Sequence, residues 1–377
     1  MKLLYIVTKA VVGGAQTSVL NLAREMKRRG HDVTVGFGDG DWLPRELEAE
    51  KIAYTRFKWL KRTHNPLASL FFIGEMMKYL HGKDFTAVHF NSSNALAGAV
   101  GVKLASKKAK TIFTFRGMSI LDEHYEINPA LRFLYVCFFK LFLLFIDEPV
   151  FISRENFDKF GQGQLTSKGK LVYNGLDPQR ISFVSREEAI RFFSEKSGVD
   201  LSGKYIIGSI GRLDYAKNYE FLIKVFPKIL EQRPDAVAVI MGEGSDRSLY
   251  ERLIAENNLS KNIFLIGNVE NGGRFLKGFD LFVQTSRYEG LSIALIEAMF
   301  AGLLILTSDV GGNREVVGSP EEEVYQLDNG EEFLNKFKAL QEVDRWPQIA
   351  ARRTAQAAKF YLKNTADGYE QIYQGVK

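Results

Sequence analysis

Glu289 and Glu297 stand eight positions apart in Arg287-Tyr-Glu-Gly-Leu-Ser-Ile-Ala-Leu-Ile-Glu-Ala-Met-Phe-Ala-Gly302. The pattern places the first carboxylate in a loop entering a glycine and the second two turns inside an apolar helix. A helical rise of 1.5 Å per residue then separates them by about 12 Å. The first-turn N–H groups between them, around Gly290, Leu291, Ser292 and Ile293, have no intrahelical partner and favour a diphosphate. Two carboxylates for the hydroxyls of two rings, with a diphosphate cradle between, match the span of a nucleotide sugar.

This stretch resembles the E-x7-E motif of the retaining, GT-B-fold glycosyltransferases of family 4. Other stretches carry the resemblance in family order. Gly208-Ser-Ile-Gly-Arg-Leu-Asp-Tyr-Ala-Lys-Asn218 is similar to the family's strand, loop and helix bearing an arginine and a lysine, here Arg212 and Lys217. Thr307-Ser-Asp-Val-Gly-Gly-Asn-Arg-Glu315 resembles its next strand and glycine-rich loop, and Val12-Gly-Gly-Ala-Gln16 its first-domain glycine loop. Nearly the whole chain is covered.

The resemblance implies roles. Transfer from a nucleotide diphosphate needs charge on the leaving phosphate stabilised, by a metal or by fixed cations. Arg212 and Lys217 are implied as those cations, with Glu289 on the hexose and Glu297 on the ribose, so no metal and no cofactor is expected. Gly242-Glu-Gly244 and Ile266-Gly-Asn-Val269, with Gly267, Asn268 and Val269, are implied at the base, and Gly13 and Gly14 near the donor phosphate or the acceptor. Two departures stand out. Asn218 replaces the glycine usual after the lysine, and Arg116, in Thr114-Phe-Arg-Gly117, replaces a histidine that touches the transferred sugar. Arginine is no general base at neutral pH. Either Arg116 contacts an anionic group of donor or acceptor, or the loop is shifted and His124 substitutes; Asn91 is a further candidate contact. His89, ending a strand, reads as a satisfied core histidine. Asp39-Gly-Asp41 resembles a metal-binding D-x-D but sits in a glycine-rich loop that turn chemistry explains. Gly36-Phe-Gly-Asp-Gly40 lacks the helix register of a dinucleotide fingerprint.

These residues need parallel sheets to position them. Short β-rich runs alternate with helical stretches throughout, the signature of α/β folding. Strands are expected at 3–8, 32–37, 52–57, 86–90, 110–115, 149–152 and 170–173, then at 205–210, 236–241, 263–266, 281–284, 303–306 and 323–326. At 377 residues the chain suits two cores. The expected organisation is GT-B: a Rossmann-like, acceptor-side domain over 1–175 and a Rossmann-like nucleotide-sugar domain over 176–358, doubly wound and facing across a cleft. Residues 359–377 are expected to form a helix crossing back to the first domain.

Charge divides likewise. Residues 1–174 hold 25 Lys+Arg and 16 Asp+Glu, net +9, while 175–377 hold 25 and 29, net −4. The first half is therefore expected to meet something anionic. Scattered basic residues exclude a nucleic-acid module. Arg56-Phe-Lys-Trp-Leu-Lys-Arg62 with a 66–80 helix carrying Phe71 and Phe72 suits either an anionic membrane surface or an amphipathic surface helix with its apolar side on the sheet. The apolar run 131–146 is too short to span a bilayer and reads as a core helix on the first sheet. The single cysteine, Cys137, fits a reducing cytosol. No signal peptide is recognised.

The expectation is a cytoplasmic hexosyltransferase, peripheral at the inner face of the cell membrane. It would move a hexose, from a UDP-sugar above other nucleotide sugars, to a glycan or lipid-linked acceptor in surface-polysaccharide synthesis. The alternatives are a GT-B-fold phosphorylase, a sugar-nucleotide epimerase, or a catalytically silent nucleotide-sugar-binding scaffold.

Overall fold

The β-rich runs form two all-parallel sheets in a computed structural model, which describes residues 1–63, 65–106, 108–318, 320–342 and 346–375. The first sheet holds, side by side, β3 (Ala53–Arg56), β2 (Asp32–Asp39), β1 (Lys2–Lys9), β4 (Ala87–Phe90), β5 (Lys110–Phe115), β6 (Glu148–Phe151) and β7 (Lys170–Leu171). The second holds β10 (Ile263–Leu265), β9 (Ala236–Met241), β8 (Tyr205–Ile210), β11 (Leu281–Gln284), β12 (Leu304–Ser308) and β13 (Val324–Tyr325). Strand order reverses between β1 and β4, and again between β8 and β11. Such switch points open a crevice beyond the carboxyl ends of the strands, where ligands of open α/β sheets bind.

The sheets belong to two units, Met1–Leu176 with Tyr361–Lys377, and Asp177–Phe360. In the first, α1 (Gly14–Arg28), α2 (Trp42–Ala49) and the C-terminal helix Leu362–Gln374 cover one face of the sheet. The other face carries α3 (Pro66–Leu80), α4 (Gly98–Ala105) and α5 (Pro129–Leu143). Arg29 anchors the C-terminal helix to α1, bonding Glu25 at 2.8 Å and both Asp367 and Glu370 at 2.7 Å. Tyr369 and Tyr373 from that helix are buried in the core. Positions 376 and 377 of the expected C-terminal segment lie outside the described residues.

Two expectations about apolar residues are refined. The 131–146 run does pack on the core of the first sheet, with Phe139, Leu143 and Ile146 buried and Tyr135, Val136, Phe138, Phe142 and Phe145 packed against them, but its other side leaves Leu131, Phe133, Leu134, Leu141 and Leu144 exposed. Conversely, Phe72 of α3 is a core residue, and of the two phenylalanines only Phe71 is exposed. The glycines of 36–40 serve packing. A Cβ on Gly38 would lie 1.9 Å from the Leu60 carbonyl oxygen, so only glycine lets β2 approach the segment after β3.

Candidate functional site

In the second unit the loops leaving β8, β9 and β10 are laced together. Gly211 N–H donates to the Met241 carbonyl and Leu213 N–H to that of Glu243, each at 3.0 Å, and Gly242 N–H donates to the Gly267 carbonyl at 2.8 Å. A Cβ on Gly242 would stand 1.8 Å from the Gly211 oxygen, which explains the glycine. The Gly267 loop continues into exposed Asn268 and half-buried Val269. Arg212 leaves this lacework exposed and bonds Asp214 of its own loop at 3.0 Å.

Lys217 ends a single turn, Tyr215–Lys217. Asn218 then adopts the left-handed conformation, φ 53°, and donates its amide to Asp328 at 2.8 Å. Asparagine is among the few residues that accept this geometry, so it can replace glycine here. Lys217 Nζ donates to Glu289 Oε1 at 2.6 Å, and Ser286 Oγ donates to the same oxygen at 2.7 Å. The loop after β11 fixes this pair from both sides. Thr285 Oγ1 donates to the Lys217 carbonyl at 2.8 Å, and Arg287 Nη1 to that of Tyr215 at 2.8 Å. The Arg287 guanidinium lies 4.2 Å over the Tyr215 ring and pairs with Glu220. Thr285 and Ser286 received no role from sequence, and Arg287 only bounded the quoted stretch.

The helix after Glu289 begins later than its pattern implied. It spans Ile293–Phe300, with Ser292 as N-cap accepting from Leu295 N–H at 3.3 Å. Glu297 therefore stands about one turn inside it, not two, and the 12 Å helical-rise estimate does not apply. Gly290 and Leu291 instead form a loop held by the next one. Gly312 N–H donates to the Gly290 carbonyl at 2.8 Å, and a Cβ on Gly311, at φ 51°, would meet the Glu289 carbonyl at 2.2 Å. Beneath, Ser292 Oγ donates to Gln284 at 2.7 Å, Gln284 to Asn313 at 3.0 Å, and Asn313 to Thr307 Oγ1 at 3.0 Å. Buried polar groups fully paired in this way specify one loop geometry.

Glu297 has no hydrogen-bond donor among the described residues. Burial pushes its carboxyl up to about 7. A Cβ on Gly273 would come within 3.1 Å of Glu297 Oε2, so glycine there leaves the carboxyl group room. The side chain is half-buried, so a ligand's hydroxyls could reach the carboxyl and supply the donors it lacks.

In the first unit Gly13 is the N-cap of α1 and Gly14 its first residue. Asn91, Arg116 and Asn174 converge beyond the ends of β4, β5 and β7. Arg116 Nε and Nη2 donate to Asn91 Oδ1 at 3.1 and 2.7 Å, and Nη1 donates to Asn174 Oδ1. Asn174 was missed because its sequence context, Tyr-Asn-Gly, reads as a turn. His124 lies apart in this arrangement, with Nδ1 3.2 Å from Asp122 Oδ1. His89 is fully buried, bonded to the Tyr373 hydroxyl at 2.8 Å and to Thr114 Oγ1 at 2.7 Å, and burial, then Arg116, holds its pKa well below the usual value. It is a neutral core histidine. Asp41 pairs with Arg56 at 3.1 Å, and Arg56 also bonds the Gly40 carbonyl at 3.1 Å.

The Glycosyltransferase Family 4 model matches residues 12–180, and the Glycosyl transferases group 1 model matches 191–353. An uncharacterised glycosyltransferase of Methanocaldococcus jannaschii is 38% identical over 40% of this chain and 38% of its own. The Campylobacter jejuni N-acetylgalactosamine-N,N'-diacetylbacillosaminyl-diphospho-undecaprenol 4-alpha-N-acetylgalactosaminyltransferase is 27% identical over 52% of this chain and 50% of its own. The chain thus spans half or less of the length of these two relatives. Among solved structures, Anabaena HepE in complex with UDP-glucose superposes with a TM-score of 0.80 over 100% of both chains at 18% identity. With the two family models matching consecutive halves and the sheet topology of both units, the chain belongs to the family 4 glycosyltransferases of GT-B fold.

Proposed function

We propose that this protein transfers a hexose from a UDP-sugar, with retention, to a hydroxyl of a lipid-linked or cell-surface glycan. The observation that carries the reading is the fixed Lys217–Glu289 pair in the loop before a capped helix, with the donorless Glu297 carboxyl inside that helix. In the reaction the bond from the anomeric carbon to the diphosphate oxygen breaks, and its electrons stay on the phosphate. Lys217 and Arg212 receive that charge; an ammonium has three donors, so Lys217 can keep Glu289 while bonding phosphate. The acceptor oxygen forms its bond on the same face, and its proton passes to the departing phosphate. Glu289 lies against the transferred sugar and Glu297 takes the ribose hydroxyls. The loops at Gly242 and Gly267–Val269 flank the base, and the N–H groups of Ile293 and Ala294 face the diphosphate. No metal is required. HepE, crystallised with UDP-glucose, supports the choice of nucleotide.

A thermal-shift screen against UDP-, GDP- and ADP-sugars tests the donor. A UDP-sugar at 100 times its dissociation constant adds about 2.7 kcal/mol of stability. Stabilisation by GDP- or ADP-sugars alone would overturn the assignment.

The acceptor side rests on the helical layer of the first unit. Of the fifteen large apolar side chains exposed among the described residues, ten lie on α3, α4, α5 or Leu144 just beyond. These helices carry Lys78, Lys103, Arg132 and Lys140 against one carboxylate, Glu75, which the Lys58 and Trp59 N–H groups occupy at 2.8 and 3.0 Å. Trp59 stacks on Phe71 at 4.5 Å beneath Lys58 and Lys61. Lys103 pairs with Asp147 at 2.6 Å, but an apolar helical layer that also carries Lys78, Arg132 and Lys140 suits an anionic leaflet, and no helix of the described residues is long and apolar enough to cross one. The protein is expected to sediment with anionic but not neutral vesicles, less so as salt rises. Phe133→Glu with Leu134→Glu should lower that binding by at least about tenfold, at ~1 kcal/mol per lost or opposed contact. Binding to neither kind of vesicle would point to a soluble acceptor.

A further inference from the structure

Arg116 presents a positive charge that nothing in its own unit neutralises. Its guanidinium is half-buried, and its partners are the amide oxygens of Asn91 and Asn174, both themselves buried and uncharged. No carboxylate of the described residues pairs with it. Asn91 is in turn fixed, its Nδ2 donating to the His89 carbonyl at 3.0 Å, so its oxygen is held toward the guanidinium. The layer behind is neutral as well. His89 is kept uncharged, and two hydroxyl pairs join at its ring nitrogens, Thr114 with Tyr369 at 2.9 Å and Tyr373 with Tyr5 at 3.3 Å, with burial raising all three phenols.

A cation removed from water without an anion is costly unless something repays it. Three of the five guanidinium N–H groups are used, which leaves one on each terminal nitrogen, the fork that meets a carboxylate or phosphate through two parallel bonds. The group stands beyond the carboxyl ends of β4, β5 and β7, where a parallel sheet receives ligands.

We propose that Arg116, positioned by Asn91 and Asn174, is an oxyanion-binding residue that selects a substrate bearing a negative charge other than the donor diphosphate. This rests on the glycosyltransferase reading above. The oxyanion is either the carboxylate of a uronic acid donor or a phosphate of the acceptor.

The test uses the full chain and two matched comparisons: UDP-glucuronate against UDP-glucose as donor, scored by hydrolysis or transfer, and a prenyl phosphate against the corresponding prenol as ligand, scored by titration. The wild type is expected to prefer the charged member at least tenfold in one arm, and that arm identifies the source. In Arg116→Gln the preference should fall to within twofold. Asn174→Asp, which keeps the arginine but places a carboxylate against it, should abolish the preference too while raising the melting temperature. It therefore decides the matter even if Arg116→Gln folds poorly. No charge preference in either arm, or a preference that survives Asn174→Asp, overturns the assignment. Titration of UDP alone separates the two ways to fail. Absence of UDP binding sinks the UDP-donor reading, whereas UDP binding without charge preference sinks only the role of Arg116.

Discussion

Lys217→Ala is expected to lower turnover by about 10²–10³, the range for removing one preorganised electrostatic donor at a site of developing charge. The side chain is fixed before any substrate arrives. Its carbonyl is held by Thr285, its Nζ lies 2.6 Å from Glu289, and its chain packs over Gly211, where an added Cβ would stand 2.9 Å from Lys217 Cε. Little reorganisation therefore remains to be done as the phosphate departs. If, as proposed, the cation takes the place of a metal at the leaving phosphate, transfer or slow donor hydrolysis should persist in EDTA. Turnover assays on both proteins, with and without chelator, check the pair of expectations. Near-normal turnover in Lys217→Ala would show the clamp to be misassigned, and full loss in EDTA restored by Mn²⁺ or Mg²⁺ would return Asp39 and Asp41 to consideration.

What the sequence made legible follows from which interactions are local. Strands such as Ala236–Met241, buried on both faces, are continuous apolar runs and could be read directly. Strands that pair only briefly, β7 and β13, came out shorter than their apolar composition suggested. The residues of the candidate site were readable as motifs, but their pairings were not. Lys217 meets Glu289 across 72 positions because β8 and β11 are neighbours in the sheet, and Arg116 meets Asn174 because three strand ends converge; strand order is not written in either local segment. The exposed side of α5 has a different cause. A helix apolar nearly all round reads as buried, but composition does not say how much of it the sheet can cover, and here the sheet covers only the side of Phe139, Leu143 and Ile146. Asn218 shows the reverse: a departure from the family pattern that local backbone chemistry fully absorbs.

The two glutamates are expected to fail differently. Glu297, proposed to hold the ribose, remote from the reacting bond, should bind the donor equally before and during transfer, and uniform binding of that kind appears in KM. Glu289, proposed to lie against the sugar that becomes positive, should act mainly in the transition state and appear in kcat. Calorimetric titration of UDP should therefore show weakened binding in Glu297→Gln and nearly unchanged binding in Glu289→Gln, while the latter slows transfer. The raised carboxyl of Glu297 adds a pH signature. Between the ordinary 4.5 and about 7 the folded protein holds this proton when the unfolded chain does not, so the group's contribution to stability falls as pH rises through that window. Two ribose hydroxyls donating to both carboxyl oxygens favour the ionised form, so binding favours loss of the proton, and UDP affinity should rise about tenfold from pH 6 to pH 8. In Glu297→Gln that slope should vanish. A slope that survives the substitution assigns the titration to another group, and loss of UDP binding in Glu289→Gln rather than Glu297→Gln means that the donor lies the other way round.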